Sequence, residues 1–299
     1  VPRLSGAWLV LLAALCWGTT GTAQAFAPAE ATPWAVGAVR LALGGSLLLV
    51  WALARGAFVR GSRWPMGATL LAALCMAVYQ LCFFAGVART GVAVGTVVAI
   101  GSAPVLAGLL AWGLRGEVPG WGWAVATLLA VGGCTLLGLG GGGVTLDLVG
   151  LLLAVGAGGS YALYVLASKE LVAWQRPEAA MGVVFGLGAL LLLPLVWRED
   201  FGWLGTRAGF GVALHLGLVT VAVAYALFAQ ALRSTRIATA VTLTLAEPLT
   251  ATLLGVVVLG EALDGAAWAG VGLLFAGLVW LALETRWQQT RHRHTQALS

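Results

Sequence analysis

At 299 residues and 30.6 kDa, the chain is 61% hydrophobic and only 9% charged, with a mean hydropathy of +0.98. Soluble domains run about 45–50% apolar and about 25% charged, and eleven acids with sixteen Lys/Arg cannot coat a water-exposed surface of this size, so the composition reads as an integral membrane protein. Forty-three glycines exclude a coiled coil and suit closely packed transmembrane helices; apolar runs of about twenty residues fit helices, not the roughly ten-residue alternating strands of a barrel.

Charges and prolines punctuate the chain at about the twenty-residue interval that crosses a bilayer. They predict ten helices, over 7–27, 34–54, 66–88, 91–114, 120–139, 148–168, 178–197, 208–231, 237–259 and 265–284. The first has Arg3 ahead of it and an Ala23-Gln24-Ala25 stretch resembling a signal cleavage site. Its apolar run exceeds the about 7–15 residues of a secretory h-region, so it is expected to stay as a span. Between helices 5 and 6 the run Gly140–Gly143 reads as a flexible linker. It lacks the Lys and Ser/Thr of a phosphate-binding loop. After helix 10 the tail 286–299 is polar and expected to fray. Cys16, Cys75, Cys82 and Cys134 fall inside spans without metal or disulfide spacing, and read as small buried hydrophobes.

Lys and Arg in the connections set the orientation. With the N-terminus inside, twelve fall on the inner side and three, Arg89, Arg198 and Arg207, on the outer. Both termini and the polar tail are therefore expected in the cytoplasm. The +5 charge is topology, not a nucleic-acid footprint. Tryptophans near span ends, such as Trp8, Trp34, Trp64, Trp112, Trp121, Trp197 and Trp287, read as interfacial anchors.

A shift of 144 residues lays one half of the chain on the other. Arg89 meets Arg233, Pro33 meets Pro177, Pro104 meets Pro248 and Glu117 meets Glu261. Thr90 falls on Ser234, Trp17 on Tyr161, and Gly6, Gly44 and Gly133 on Gly150, Gly188 and Gly277. Glycine matches are cheap in this composition, whereas chance gives less than about one identity of Pro, Arg or Glu per offset, against four found. Two five-helix units follow, 1–143 and 144–285. An odd number of spans inserts the second unit upside down, the inverted repeat of secondary transporters, whose substrate sites lie near the midplane between the halves.

Charges inside the spans are few and each needs an account. Arg40 lies about two turns into helix 2, His215 two turns into helix 8, and Glu247 near the middle of helix 9, where the first half has Ala103. Glu247 reads either as a proton-coupling carboxylate or as a packing group bonded to a hydroxyl or to Arg40. The second, structural reading is adopted. Arg40 is read as a snorkelling or ion-paired residue and His215 as a packing histidine, with proton transfer or pathway lining as its alternative. No nucleophile–base pair, paired carboxylates or metal-ligand spacing appears, so neither an enzyme nor a metal or other cofactor is expected.

Tyr79, Tyr161, Tyr164 and Tyr225 all fall within spans. A buried hydroxyl needs a partner that lipid cannot supply, so they must face other helices or a wet cavity. Phe83 follows Tyr79 by one turn, with Gln80 beside it; Trp17, Thr20 or Gly21, and Gln24 share a stripe on helix 1. Aromatic walls with a few amides and hydroxyls suit a largely apolar small molecule with a polar end. An ordinary packed core is the alternative. Pro104 and Pro248 sit mid-span at equivalent places and permit bends, as gates do. Gly91-x-x-x-Gly95, Gly182-x-x-x-Gly186 and Gly205-x-x-x-Gly209 read as packing motifs.

Both copies carry an Arg-Thr/Ser turn, a run of Ala, Thr and Leu with a central Pro, and a closing Gly-Glu. They read Arg89-Thr90…Pro104…Gly116-Glu117 and Arg233-Ser234…Glu247-Pro248…Gly260-Glu261. This block resembles the EamA-type repeats of the drug/metabolite transporter superfamily, and the resemblance extends over all ten helices. More narrowly, Trp17-Gly18-Thr19-Thr20-Gly21-Thr22-Ala23-Gln24 and Gly101-Ser102-Ala103-Pro104 look like YddG-type exporters of aromatic amino acids and related metabolites. The family implies an inner-membrane, all-α, ten-helix protein with a central cavity and peripheral helices 5 and 10. It also implies export of amino acids or similar metabolites. The expected partners are a small-molecule substrate and the lipid bilayer, with the chain a monomer. Two alternatives remain: a same-fold exporter of cationic drugs or other metabolites, for which Glu247 would serve, and a non-transporting membrane protein or membrane enzyme. Nucleotide sugars would need more buried Lys/Arg than Arg40 alone.

Overall fold

Proline and glycine mark where helices start and stop. α1 (Gly6–Ala25) is followed by α2 (Pro33–Ala54), which begins on Pro33 at the position where a missing N–H costs nothing, with the Thr32 hydroxyl accepting from Ala35 N at 3.2 Å. Gly116, at φ 65°, ends α4 (Val92–Arg115), which follows α3 (Met66–Thr90). The computed structural model describes residues 5–58, 63–90, 92–139, 147–197, 199–260 and 262–297. The expectations resting on Arg3, Arg60, Gly91, Arg198, Gly140–Gly143, Glu261 and Ser299 lie outside the described residues. α5 (Trp121–Leu139) closes the first half.

The second half repeats the order. Asp147 caps α6 (Leu148–Trp174), its carboxylate accepting from Gly150 N at 2.8 Å, and α7 (Pro177–Val196) again starts on proline. Among the described residues, eight helical segments are long and apolar enough to cross a membrane, and two shorter ones, Trp121–Leu137 and Gly265–Leu281, are apolar as well. Among the described residues there is no strand.

Four expectations need correction. The eighth predicted span is not one regular helix: α8 (Arg207–His215) widens over Leu216–Val223 into a π-helix before α9 (Ala224–Leu232). There α2 presses in, with Gly44 against Gly217 and Val221, and the Thr220 hydroxyl takes the Leu216 carbonyl at 2.7 Å. The ninth span is broken into α10 (Ile237–Leu243) and α11 (Ala246–Leu259). Third, the tail is helical as far as Ala297: α12 (Gly265–Ala297) continues through it, and 285–297 holds no Gly or Pro to stop it. Fourth, Gly205-x-x-x-Gly209 is no helix–helix motif. Gly205 ends a separate 3₁₀ turn, Gly202–Gly205, and Gly209 lies against the Trp203 carbonyl of the same turn. Gly182 and Gly186 do pack, against Leu49 and Gly45 of α2.

The two halves interlock instead of standing apart. α6 packs against α3 and α4, and its counterpart α1 packs against α9 and α11. α2 lies on α7 and α5 on α12, each helix on its own counterpart. The duplicated glycines sit at these crossings. Gly6 meets the turn at Ser234 and Thr235, Gly150 meets Arg89 and Thr90, and Gly133 and Gly277 both lie between α5 and α12. Apolar side chains such as Leu74, Leu128, Leu190, Val257 and Phe275 point outward, and exposed tryptophans, Trp121 and Trp197 among them, sit near helix ends. The core, from Val10 and Leu41 to Phe228 and Leu243, is shared by both halves.

Candidate functional site

The interlocking leaves a central cavity of about 530 Å³. Helical periodicity decides which side chains reach it. Trp17, Thr20, Gly21 and Gln24 line it from α1, at the i, i+3, i+4, i+7 spacing of one face. Tyr79, Gln80, Phe83 and Phe84 line it from α3, and Ile100 and Ala103 from α4. Across from them stand Tyr161 on α6, Tyr225 on α9, Thr244 at the helix break and Glu247 on α11. Arg40 reaches in from α2.

The rings form a continuous wall. Tyr79 stacks on Phe83 at 5.7 Å between centroids and approaches Tyr161 at 6.0 Å, while Trp17 packs on Tyr225 at 4.8 Å and on Phe228 at 5.4 Å. Such contacts are individually about 0.5–1.5 kcal/mol. The polar groups are unlike those of a finished core. Trp17 and Gln80 are each 4% exposed, yet Trp17 Nε1, Gln80 Nε2 and Arg40 Nε are buried without a hydrogen-bond partner. An unsatisfied buried donor costs about 1–3 kcal/mol, and all three belong to residues that line this cavity.

Glu247 departs from its expected role. Its carboxylate makes no side-chain hydrogen bond and no ion pair among the described residues, so the bond to a hydroxyl or to Arg40 that the structural reading requires is absent. Tyr164 also departs. It is fully buried, its hydroxyl donates to Met181 Sδ at 3.1 Å, and it does not line the cavity. Helix 6 turns Tyr161 inward and Tyr164 toward α7 and α9, where Phe185 and Tyr225 surround it. His215 also stays out of the cavity. Its Nε2 lies 2.8 Å from Thr19 Oγ1, and because that hydroxyl donates to the Cys16 carbonyl at 2.7 Å, it accepts from His215.

Neither Pro104 nor Pro248 lines the cavity, but each acts on a residue that does. A helical proline removes its own donor and clashes with the carbonyl four residues back. For Pro104 that carbonyl belongs to Ile100, and for Pro248 to Thr244, equivalent residues that both face the cavity. α4 stays continuous. In the second half Glu247 N bonds to Thr244 O at 2.8 Å and Leu245 N to Thr242 O at 3.1 Å, a tightened turn that breaks the helix. Pro248 is thus in the first turn of α11, not in mid-helix as expected. Thr244, Ile100, Phe84 and Ala103 were not foreseen as lining residues. The neighbours of Tyr79 and the residues four before each proline were the signals for Phe84, Ile100 and Thr244.

The lining reaches Ala27 and Ala31 between α1 and α2 and Val87 near the end of α3, and stops mid-helix at Trp17, Tyr161 and Tyr225. The opposite end of the bundle is tied shut. Lys169 Nζ donates to the Thr235 carbonyl at 2.6 Å and pairs with Glu117 at 3.7 Å, and Glu117 also meets Arg115 at 3.4 Å and accepts from Ile237 N at 3.3 Å. Arg233 closes onto the carbonyls of Val172 and Gln175. At the cavity end the equivalent Arg89 pairs with Asp147 at 3.4 Å. Among the described residues no cluster of His, Cys, Asp or Glu could hold a metal ion.

Apolar helices long enough to span a bilayer, arranged in two interlocked halves around an aromatic cavity open at one end, define a multi-pass membrane protein of the transporter type. The EamA-like transporter family model matches residues 4–139 and 148–283, one match in each half, and the chain belongs to that family. It is 48% identical over 283 residues to the Bacillus subtilis (strain 168) protein named Uncharacterized transporter YwfM, covering 94% of this chain and 95% of that one. It is 21% identical to the Salmonella typhimurium Uncharacterized inner membrane transporter YicL, over 93% and 95% of the two chains. A solved structure titled only as the crystal structure of a protein shares the fold, with TM-score 0.81 and 23% identity over 94% of this chain and 97% of that one. Family and relatives point to a membrane transporter of small molecules, not an enzyme.

Proposed function

We propose that this protein exports amino acids, aromatic ones among them, and related small metabolites across a bacterial-type inner membrane by alternating access. The observation that carries the reading is the one-ended cavity, aromatic-walled and holding unpartnered donors. Its size fits a small metabolite, since ligand pockets run about 300–1,000 Å³. The ends of the bundle support ten spans in two inverted units, 1–143 and 144–285. Equivalent arginines, Arg89 and Arg233, make their contacts in two separate groups, one with Asp147 and the other with Val172 and Gln175. Twelve connection charges against three support both termini and the polar tail in the cytoplasm, an orientation in which the open cavity faces outward. Opening the Lys169–Glu117 side while closing the Arg89 side would present the same cavity inward, with Pro104 and Pro248 as the bends. Export as the direction, and amino acids as the cargo, rest on the resemblance to YddG-type exporters. The protein works as a monomer. A second reading, export of cationic drugs, is favoured by Glu247 in the cavity.

Counterflow in proteoliposomes tests the cargo. Labelled phenylalanine or tryptophan should accumulate against an internal pool of the same amino acid, and organic cations should not compete. Competition by cations but not by amino acids would replace this reading with the second. An alkaline phosphatase fused to Ser299 should be inactive; strong activity would overturn the orientation.

A further inference from the structure

Two opposite charges face one cavity without touching. Arg40, on α2 of the first half, and Glu247, on α11 of the second, both line it and form no ion pair. They are nonetheless close: Tyr79 and Tyr225 lie within electrostatic reach of both. Arg40 Nε is buried without a partner, and so is Gln80 Nε2, on a side chain only 4% exposed that lines the same cavity. The two donors thus come from the first half of the chain and the one acid from the second.

Resting on the reading of this cavity as an amino-acid site, we infer that Arg40 and Gln80 hold the substrate carboxylate and Glu247 its ammonium group. The physical reason is charge balance in a desolvated place. A fixed separated pair is neutral as a whole, and so is a zwitterion, whose two charges each meet an opposite one when it enters. A lone cation or lone anion satisfies one protein charge and leaves the other buried and uncompensated, which is the costly arrangement. The planar guanidinium fork with an amide beside it matches a carboxylate, and an ammonium suits a single carboxylate flanked by tyrosine hydroxyls. The apolar part of the ligand then lies along Tyr79 and Phe83, whose rings stack. Neither charge is duplicated: Val184 and Ala103 hold the equivalent positions, so the cavity binds its ligand in one polarity.

Three ligands of one shape separate the two ends: L-phenylalanine, phenethylamine, which lacks the carboxylate, and 3-phenylpropionate, which lacks the amine. Binding to purified protein in lipid nanodiscs should favour phenylalanine over either relative by about tenfold or more in the wild type, about the size of one charge-assisted contact. Glu247→Gln should weaken phenylalanine about tenfold while binding 3-phenylpropionate as well as or better than the wild type. Arg40→Gln should do the reverse, sparing phenethylamine. Arg40→Lys and Glu247→Asp, which keep the charges, should each cost a few-fold in phenylalanine affinity, and they carry the comparison if a neutral variant fails to insert. Wild type that binds phenethylamine but not phenylalanine would overturn the amino-acid reading itself. Wild type that binds phenylalanine, with both neutral variants or both conservative variants keeping the wild-type order of the three ligands and undiminished phenylalanine affinity, would leave that reading standing and overturn this assignment.

Discussion

The two halves of the chain share their backbone plan and differ in their chemistry. Helix starts at Pro33 and Pro177 agree, and so do the crossings of Gly6 with Thr235 and of Gly150 with Thr90. The cavity residues do not. The first half supplies Trp17, Arg40, Tyr79 and Gln80, and the second puts Tyr161, Val184, Val223 and Ala224 in their places and adds Glu247 and Tyr225. Next to these additions the backbone departs from the first half, at the π-helix before Tyr225 and the break before Glu247. Irregular backbone at membrane depth is tolerated where protein or a wet cavity satisfies it, and here the hydroxyls of Thr220, Thr242 and Thr244 take the carbonyls of Leu216, Ala238 and Val241. The glycine pairs Gly6 and Gly150, and Gly133 and Gly277, recur where a neighbouring helix or turn comes close; under the proposed binding of one ligand in one orientation, the polar side chains need not repeat.

Substitutions at equivalent positions test how far the likeness goes, and Trp17 should give the largest difference. Trp17→Ala removes a 4% exposed ring from between Tyr225 and Phe228 and should lose about 3–5 kcal/mol of stability together with export. Its counterpart Tyr161, half-buried on the cavity wall, should lose export on replacement by Ala with a much smaller fall in melting temperature. Equal melting temperatures would make the two walls structural equals. Next come the glycines. A Cβ on Gly44 would meet Val221 and come within 2.8 Å of the Gly217 carbonyl, so Gly44→Ala should cost about 1–3 kcal/mol in a thermal melt. Gly188→Ala should be close to neutral, because its nearest neighbours are 3.6–4.0 Å away.

The remaining tests have smaller effects. Lys169→Met removes the contacts to Thr235 and Glu117 and should loosen the sealed end, read as a several-fold rise in maleimide labelling of a cysteine introduced at Thr235. Unchanged labelling would show that packing alone seals it. Tyr164→Phe deletes the bond to Met181 and should cost about 1 kcal/mol without changing export, whereas Tyr161→Phe should reduce it. Smallest is the acid response at Asp147. The Gly150 amide, and after it Arg89, hold this exposed carboxyl below the usual carboxylate range. A lowered native value means that its contribution is present above about pH 4 and is lost as the pH falls through the native value. Asp147→Asn keeps a capping acceptor but cannot titrate, so it should flatten that acid-side slope in low salt.

Hydropathy and charge were enough for the helical class, for eight segments long and apolar enough to span, and for the duplication, because the bilayer demands about twenty apolar residues and internal backbone bonding wherever a chain crosses. Part of the site was legible too. The satisfaction argument for mid-membrane hydroxyls holds for Tyr79, Tyr161 and Tyr225, which line the cavity. It misplaced Tyr164, because a hydroxyl three residues along a helix from Tyr161 looks the same in sequence whether it meets water or the sulfur of Met181.

Glu247 marks the boundary most clearly. Its residue type and depth could be read from the chain, but whether it was paired could not, since that depends on where α2 of the other half holds Arg40. The break between α10 and α11 is of the same kind. Pro248 announces a lost hydrogen bond, yet the equivalent Pro104 lies in an unbroken helix. In the second half the Thr244 carbonyl is taken by Glu247 N in a tightened turn, an arrangement that forms only in that copy. Local composition thus determines which segments can cross the membrane, while the tertiary arrangement decides which of their polar groups find partners inside the protein and which are left at the cavity.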